Sequence, residues 1–520
     1  MSTVAREAVS EAITESRRPV WVKVLDQTRC IGCHACTTAC KSENEVPLGV
    51  TRTYVKSVEV GSFPQVRRAF QVTRCNQCED APCVAACPTE AMYRRPDGIV
   101  DFDKRICIGC KACIAACPYD AIFINPEDHS AEKCNFCAHR LEVGLEPACV
   151  TVCPTEAILV GDVNDPTSKV ASIVGRQPVT VRRPEKETRP KLFYKGAHQA
   201  TLDPLAARRP DGGLFAWSTQ GDPLDPTLVV SGHPGRPASS AAALLSYDVP
   251  HHAPWGWPVS LYTWTKGIAA GAMLVPLILA IAGRLPWSND LAQWSAPLLA
   301  GASLALTGLL LIWDLKHPSR FYLILTRHHW SSWLVKGAVV IGAYAAILGV
   351  YLLGSIVGSV GVRQVLTGFA LPLGLATACY TAYLFAQAKA RDLWQNPLLV
   401  PHLAIQAVLA GSAAMLPLAE WQAPHSAVVG IEALLCGAAA AHLLAVAGEV
   451  TLTHPTAHAH LATMEMIRGR FAGFFWTGVA GVAVAVAAPW IGVAAVPFAL
   501  VGLLTHEHAY VQAGQSVPLA

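Results

Sequence analysis

Charge is scarce in this chain. Of its 520 residues, 15% are Asp, Glu, Lys or Arg, and the formal net charge is +3. That balance is too small to draw nucleic acid, and no basic stripe interleaved with aromatics supports such a partner. The tail 1–19 lacks the apolar core of a secretory signal, having mixed charge and few large apolar side chains. Arg17-Arg18 has the look of a twin-arginine export signal. The Pro-Val-Trp-Val-Lys-Val-Leu-Asp that follows is too short and too charged for its apolar region, and its alternation reads as a first strand. Cysteine is nearly missing outside one stretch, since sixteen of the eighteen lie between Cys30 and Cys153. The other two, Cys379 and Cys436, stand alone in apolar runs and read as small packing residues.

The sixteen cysteines form four groups. Cys30, Cys33, Cys36 and Cys40 are spaced C-x2-C-x2-C-x3-C, and Cys107, Cys110, Cys113 and Cys117 repeat that spacing. Cys75, Cys78, Cys83 and Cys87 are spaced C-x2-C-x4-C-x3-C, and Cys134, Cys137, Cys149 and Cys153 make the fourth group. The last three groups each end in Cys-Pro, within a unit written three times: Cys87-Pro-Thr-Glu-Ala-Met, Cys117-Pro-Tyr-Asp-Ala-Ile and Cys153-Pro-Thr-Glu-Ala-Ile. Three thiolates close in sequence can wrap one cubic cluster while the fourth points elsewhere. Zinc sites usually take two cysteine pairs without a third cysteine and a Cys-Pro end. Disulfides need an oxidising compartment and leave the repeated spacing unexplained. The groups therefore predict four 4Fe-4S clusters as cofactors. The spacing permits pairing between adjacent groups as well as between distant ones.

The chain divides by composition. The expected domains are a tail at 1–19, a cluster domain at 20–165, a segment rich in Pro, Arg, Asp and Gly at 166–254, a membrane domain at 255–510, and a tail at 511–520. Thr53 to Val60 and Gln65 to Val72 alternate as a strand pair around Gly61-Ser62, and Asp97-Gly98 marks a turn before Ile99-Val100. Two readings of 166–254 stay open, a solvated linker and an arm lying along another subunit. The membrane domain reads as about eight spans: 258–283, 296–313, 333–357, 365–386, 398–419, 426–449, 471–488 and 491–508. A bilayer core of about 30 Å takes roughly 20 apolar residues per helix. The last two spans, parted by Pro489-Trp490, read alternatively as one broken helix. Gly267-x3-Gly271 allows a close helix contact. The fold class is thus an α+β polycluster domain fused to an all-α polytopic helix bundle.

Loop charges set an orientation. With eight spans, Lys316, Arg320, Arg327, Lys389, Arg391, Arg468 and Arg470 lie on the cluster side, against Arg284 and Arg363 on the other. The positive-inside rule places the cluster domain in the cytoplasm of a multi-pass inner-membrane protein. An ionisable group inside a span costs about 2.5–3.5 kcal/mol on insertion scales, so each invites a use. Lys266 lies two turns into the first span, where it either snorkels or serves a site. Asp314, His317 and Arg320 follow the second span, and Asp314 with Arg320 can also pin that loop as an ion pair. Glu432, His442 and Glu449 are on the sixth span, with His442 and Glu449 on one face, and Glu507 and His508 close the eighth. Glu432 and His442 are expected inside the bundle, where a proton relay is one use. Trp255, Trp257, Trp330 and Trp333 read most simply as an interfacial belt.

Cys30 to about Asp162 resembles the four-cluster, ferredoxin-like electron-transfer subunit of the dimethyl sulfoxide reductase and polysulfide reductase class of molybdopterin oxidoreductases. The carrying features are the four groups in order, Ala-Cys-Lys-x-Glu-Asn after the first, and Cys-Asn-Gln-Cys-Glu-x-x-Pro-Cys in the second. The second half is similar to the quinone-reactive membrane subunit of the polysulfide reductase and nitrite reductase type, through Trp257-Pro-Val-Ser-Leu-Tyr, Lys266-Gly-Ile-Ala-Ala-Gly-Ala and Asp314-Leu-Lys-His-Pro-Ser-Arg-Phe. Usually separate chains, the two look fused here. The resemblance implies that the first group pairs with the fourth and the second with the third. One cluster would take Cys30, Cys33, Cys36 and Cys153, and its partner Cys134, Cys137, Cys149 and Cys40. Cys75, Cys78, Cys83 and Cys117 would hold the third, and Cys107, Cys110, Cys113 and Cys87 the fourth. It also implies a quinone site at the cluster-facing end of the first spans, with His251, His252, Tyr262, Lys266, Asp314 and His317 as candidates. Asp314, His317 and Glu449 are candidate proton relays. Many relatives of that class face the periplasm, and the loop charges depart from them.

The expectation is an electron-transfer subunit that is quinone-reactive yet does no substrate chemistry itself. It would link the quinone pool in the bilayer to a molybdopterin subunit carrying molybdenum or tungsten on a separate chain. The alternatives are the anchor subunit of a nickel hydrogenase and an ion-translocating module fed by a soluble donor.

Overall fold

The structure, a computed structural model, describes residues 19–62, 64–208 and 243–519. The Arg17-Arg18 reading, nearly all of the expected tail 1–19 and residues 209–242 of the expected linker or arm lie outside them. The chain forms two compact units, one running to His252 and the other spanning Ala253–Val517.

The first unit is built from short strands: β1 (Trp21–Asp26), β2 (Thr53–Ser62), β3 (Gln65–Arg74), β4 (Met92–Arg94), β5 (Val100–Phe102), β6 (Ile122–Ile124), β7 (Ala131–Lys133), β8 (Ile158–Asp162), β9 (Val179–Thr180), β10 (Leu192–Lys195) and β11 (Ala243–Tyr247). The alternation after Pro19 does form β1. Its Val22, Val24 and Leu25 are buried, and Val22 and Val24 pack against Val170. β2 and β3 form the expected strand pair, antiparallel, with Tyr54 opposite Thr73. Asp97-Gly98 turns the β4–β5 hairpin, where Gly98 has φ +78 and the Asp97 carboxylate accepts from the Ile99 N–H. β4–β5 and β6–β7 are two equivalent hairpins, each following a Cys-Pro turn.

Much of the expected linker is part of this unit. One sheet has the order β8-β1-β10-β9, so β10 is an interior strand running parallel to β1, with Lys23 opposite Leu192. β11 adds to the outer edge of β2. The apolar alternation of Leu192-Phe-Tyr-Lys is brief and ringed by Pro and Arg, which hid it in the sequence. Leu192 and Tyr194 are buried against the first and fourth cysteine groups.

The second unit is helical: α1 (Trp257–Ile281), α2 (Ala296–Trp313), α3 (Trp333–Ile356), α4 (Val360–Gln387), α5 (Leu399–Gln422), α6 (His425–Thr451), α7 (Ala472–Ala485) and α8 (Val496–Ser516). Among the described residues, seven helical segments are long and apolar enough to cross a bilayer, the last counted from Ala488 to Ser516. α7 is apolar but has 14 residues, about 21 Å at ~1.5 Å per residue. α7 and α8 are separate helices packed side by side, not one broken helix. A Cβ on Gly481 would meet the Phe498 carbonyl oxygen at 2.6 Å, and one on Gly502 the Val482 nitrogen at 2.9 Å. α8 runs to Ser516, beyond the expected end at 508. Gln515, in the expected tail, is satisfied there, since its amide accepts from the Trp255 N–H at 2.9 Å and donates to the Trp255 carbonyl at 2.9 Å.

α1 is the buried centre of this unit, with α2, α4 and α5 around it. Close approach of α1 to α5 is made by Gly271 and Gly411, where each lacks a side chain facing the other's backbone. Gly267 faces ordinary contact with Ala410 at 3.9 Å. Of the expected tryptophan belt, Trp257 and Trp330 are exposed, while Trp255 is buried and stacks on Phe385 and Trp394. Cys379 is buried with its thiol toward the Val400 carbonyl. Gly271→Leu is expected to destabilise the bundle by about 3 kcal/mol through overpacking. Gly267→Ala should be nearly neutral, and thermal melting in detergent would separate the two.

Candidate functional site

The four cysteine groups share a backbone. In each C-x2-C the residue before the second cysteine has positive φ: Gly32 at +69, Gln77 at +48, Gly109 at +68 and Phe136 at +65. That left-handed step turns successive amides inward, the geometry of an anion-binding nest. The threefold Cys-Pro unit has its own version, with Glu90, Asp120 and Glu156 at φ +58, +48 and +48. The chain thereby returns an amide to the sulfur. The Met92 N–H donates to Cys87 Sγ at 3.3 Å, and the Ala157 N–H to Cys153 Sγ at 3.2 Å. The Gln77 and Ala131 N–H groups donate likewise to Cys75 and Cys107.

The cysteines come together across groups. Cys30, Cys33, Cys36 and Cys153 line one cavity; Cys75, Cys78, Cys83 and Cys117 a second; Cys107, Cys110, Cys113 and Cys87 a third. In the remaining set, Asn44 Nδ2 lies 3.7 Å from both Cys40 and Cys137 Sγ, and Cys134 and Cys149 are near Cys40.

Buried cations stand beside these sulfurs. Arg74 is 1% exposed and its Nη1 donates to Cys149 Sγ at 3.0 Å, while Lys23 Nζ lies 3.9 Å from the same sulfur. Nε and Nη2 of Arg74 have no hydrogen-bond partner among the described residues. Burial pushes thiols up, Cys36 to about 11 and Cys40 to about 12. At Cys149 burial acts the same way, but Arg74 and Lys23 outweigh it and hold the thiol down at about 7. Inward amides at the cradles, and the unpaired Arg74 donors and buried Lys23 beside Cys149, fit anionic thiolate-bound iron–sulfur clusters.

His251 belongs to the first unit, as does exposed His252. His251 Nδ1 bonds Asp120 and its Nε2 lies 3.3 Å from Asp248. Burial alone would lower its pKa, but the two carboxylates raise it to about 9.

Inside the helical unit, α1 carries a polar strip. Lys266 is 1% exposed, donates to Thr381 Oγ1 and sits over the Tyr380 ring at 4.6 Å. It is therefore enclosed rather than snorkelling. One turn earlier, Thr263 Oγ1 donates to Glu507 at 2.8 Å, and Ser260 bonds His508 at 3.2 Å. Tyr262 is buried within electrostatic reach of Tyr380, Asp314 and Glu507, so Tyr262, Lys266 and Asp314 gather at one end of the bundle. Asp314 and His317 are part-exposed at the end of α2. Glu449 and His442 do share a face, and His402 joins them: its Nδ1 is 3.3 Å from Glu449 and its Nε2 2.9 Å from His442 Nδ1. Glu432 is part-buried ten residues from His442, about 15 Å along α6, with its carboxylate near Gly492, so it is not part of that network. Sequence reasoning passed over Thr381, His402 and His506. The available signal for the two histidines was their presence in apolar helices, where an imidazole needs a partner.

Two protein-family models match the chain. One described as polysulphide reductase, NrfD, covers 247–517, and one described as a 4Fe-4S dicluster domain covers 66–163. The chain is 44% identical over 198 residues to a tetrathionate reductase subunit of Salmonella typhimurium, covering 37% of this chain and 79% of that protein. It is 46% identical over 173 residues to a polysulfide reductase polypeptide of Wolinella succinogenes, 33% of this chain and 91% of that one. With a putative dimethyl sulfoxide reductase iron-sulfur subunit of Halobacterium salinarum it shares 37% identity over 221 residues, 37% of this chain and 84% of that one.

Two outcomes are expected of the first unit. A group whose pKa is raised on folding stabilises fully below its unfolded value and ceases to do so above its folded one. His251 should therefore contribute below pH ~6.5, lose that contribution progressively as pH rises, and give none above about 9. Cluster-retention midpoints measured against pH should show this slope in the wild type and lack it in His251→Gln. Arg74→Leu removes a charged hydrogen bond worth about 1.5–3 kcal/mol, which should lower one cluster potential by roughly 60–130 mV for one electron. An EPR-monitored redox titration reads that shift.

Proposed function

Because this protein is a member of the polysulphide reductase NrfD family, and its cysteine-rich half is homologous to the iron-sulfur electron-transfer subunits of tetrathionate and polysulfide reductases, we propose that it passes electrons between the quinone pool and a molybdopterin subunit on a separate chain. Four 4Fe-4S clusters would be held by the four cross-group sets of cysteines. When bound, they supply one-electron centres whose potentials follow from hydrogen bonds, charge and exposure.

This chain's residues do the rest. The inward amides of Gln77, Met92, Ala131 and Ala157 and the Arg74 guanidinium favour negative charge at the sulfurs. The observation that carries the quinone assignment is the enclosed Lys266, with Tyr262, Thr381 and Glu507 around it inside an apolar bundle. Lys266 and Tyr262 can donate to a quinone oxygen, and Glu507 can accept or return a proton. Asp314 and His317, part-exposed at the same end, would exchange that proton with water. Glu449 stays a candidate relay. The loop charges support a cytoplasmic cluster unit.

The test uses the complex purified from membranes. Elemental analysis is expected to give about sixteen irons per chain, together with molybdenum or tungsten. Nickel in their place would move the partner to a hydrogenase. Lys266→Met should slow quinol-dependent cluster reduction on the order of 10²-fold while leaving iron content and reduction by dithionite unchanged. Unchanged quinol turnover in that variant would sink the quinone assignment.

A further inference from the structure

Three histidines from three helices meet in the interior of the helical unit. His402 on α5, His442 on α6 and His506 on α8 are 2%, 0% and 1% exposed. One ring nitrogen from each lies within 4.8 Å of the other two. The ring centroids are 4.8 Å apart for His402–His442 and His442–His506, and 5.8 Å for His402–His506.

Hydrogen bonding within the group leaves it incomplete. His402 and His442 make one bond to each other, and His402 makes a second to Glu449. Nε2 of His442 and Nδ1 of His506 have no partner among the described residues. A buried ring nitrogen left unbonded is unfavourable. A neutral imidazole with a free ring nitrogen is the form that binds a metal ion.

We propose that these three histidines bind one divalent late first-row metal ion, of which zinc is the simplest case. The orientation of His402 supports this independently of proximity. Its Nδ1 faces Glu449, whose Oε1 also accepts from Asn396 Nδ2 at 2.9 Å. That is the carboxylate–histidine–metal arrangement, in which a carboxylate holds the N–H side of the ring and turns the other nitrogen toward the ion. Nε2 is thereby presented to the other two rings. Two metal–nitrogen bonds of about 2.0–2.1 Å at a tetrahedral angle span roughly 3.3 Å. His402 Nε2 and His442 Nδ1, now 2.9 Å apart, would give up the bond between them and open by a few tenths of an ångström, leaving His442 Nε2 as that ring's N–H. His402 and His506 also line a cavity with Thr263, Gln406 and Glu507, and Gln406 Oε1 is buried without a partner among the described residues. A fourth ligand, water or the Gln406 oxygen, fits that side. No thiol is in the set, which separates it from the cysteine cradles.

The experiment uses the full chain in its complex, purified with a tag free of histidine and equilibrated with micromolar zinc. The expected result is about one zinc per chain beyond the iron, with X-ray absorption at the zinc edge showing nitrogen or oxygen neighbours at about 2.0 Å and no sulfur. His442→Gln should lose most of that metal at unchanged iron content and visible cluster absorbance. Sulfur scatterers, equal metal in the wild type and in the triple His→Gln variant, or no such metal in the wild type would overturn the site. The absorption spectrum needs no variant, so the proposal stands or falls even if a variant does not fold.

Discussion

Negative charge gathered on buried sulfur is the constraint on which the first unit depends. Four thiolates around an iron–sulfur core cannot be buried in apolar surroundings without donors and cations aimed at them. The chain answers at two levels. Locally, the left-handed steps at Gly32, Gln77, Gly109 and Phe136 and at Glu90, Asp120 and Glu156 turn amides toward the sulfurs. At longer range, β1 and β3 deliver Lys23 and Arg74 into the interior beside Cys149. Strands of three residues suffice for the two hairpins, because the cradles beside them exchange cysteines between the second and third groups.

The helical unit solves the opposite problem. Its surface is apolar, so its polar groups are collected inside, where several of them bond one another. Small residues bring neighbouring backbones close elsewhere in the bundle: Gly271 against Gly411, and Gly478 and Gly481 against Gly502 and its neighbours. Lys266 to Thr381 and Thr263 to Glu507 each join different helices. These ionisable residues stay at one end of the bundle because each has a partner there, and α8 is extended by eight residues past the expected boundary for the same reason.

Legibility differed between the units for a physical reason. Cysteine spacing is a local property, so the groups, the hairpin at Asp97-Gly98 and the β2–β3 pair could be read directly, as could the apolar runs. β10 could not, since its four residues are a strand only through pairing with β1. Trp255 was expected at an interface because tryptophan favours that setting, but stacking with Phe385 and Trp394 buries it. Glu432 and His442 looked alike on the sixth span, and the neighbouring helices separate them. His402 gave no signal by spacing, being forty residues from the ring it bonds.

The sequence by itself determined the chemistry available: sixteen cysteines in cluster-forming spacing, a membrane-spanning second half, and a short set of ionisable groups in apolar helices. Each follows from residue type and local period, which need no knowledge of distant contacts. The tertiary structure decided which groups act together. It joined Cys153 to the first group and Cys40 to the fourth, enclosed Lys266 with Glu507, and brought His402, His442 and His506 into one cluster. Those associations depend on packing between segments far apart in the chain, Thr263 and Glu507 being separated by 244 residues, and local spacing carries no record of them.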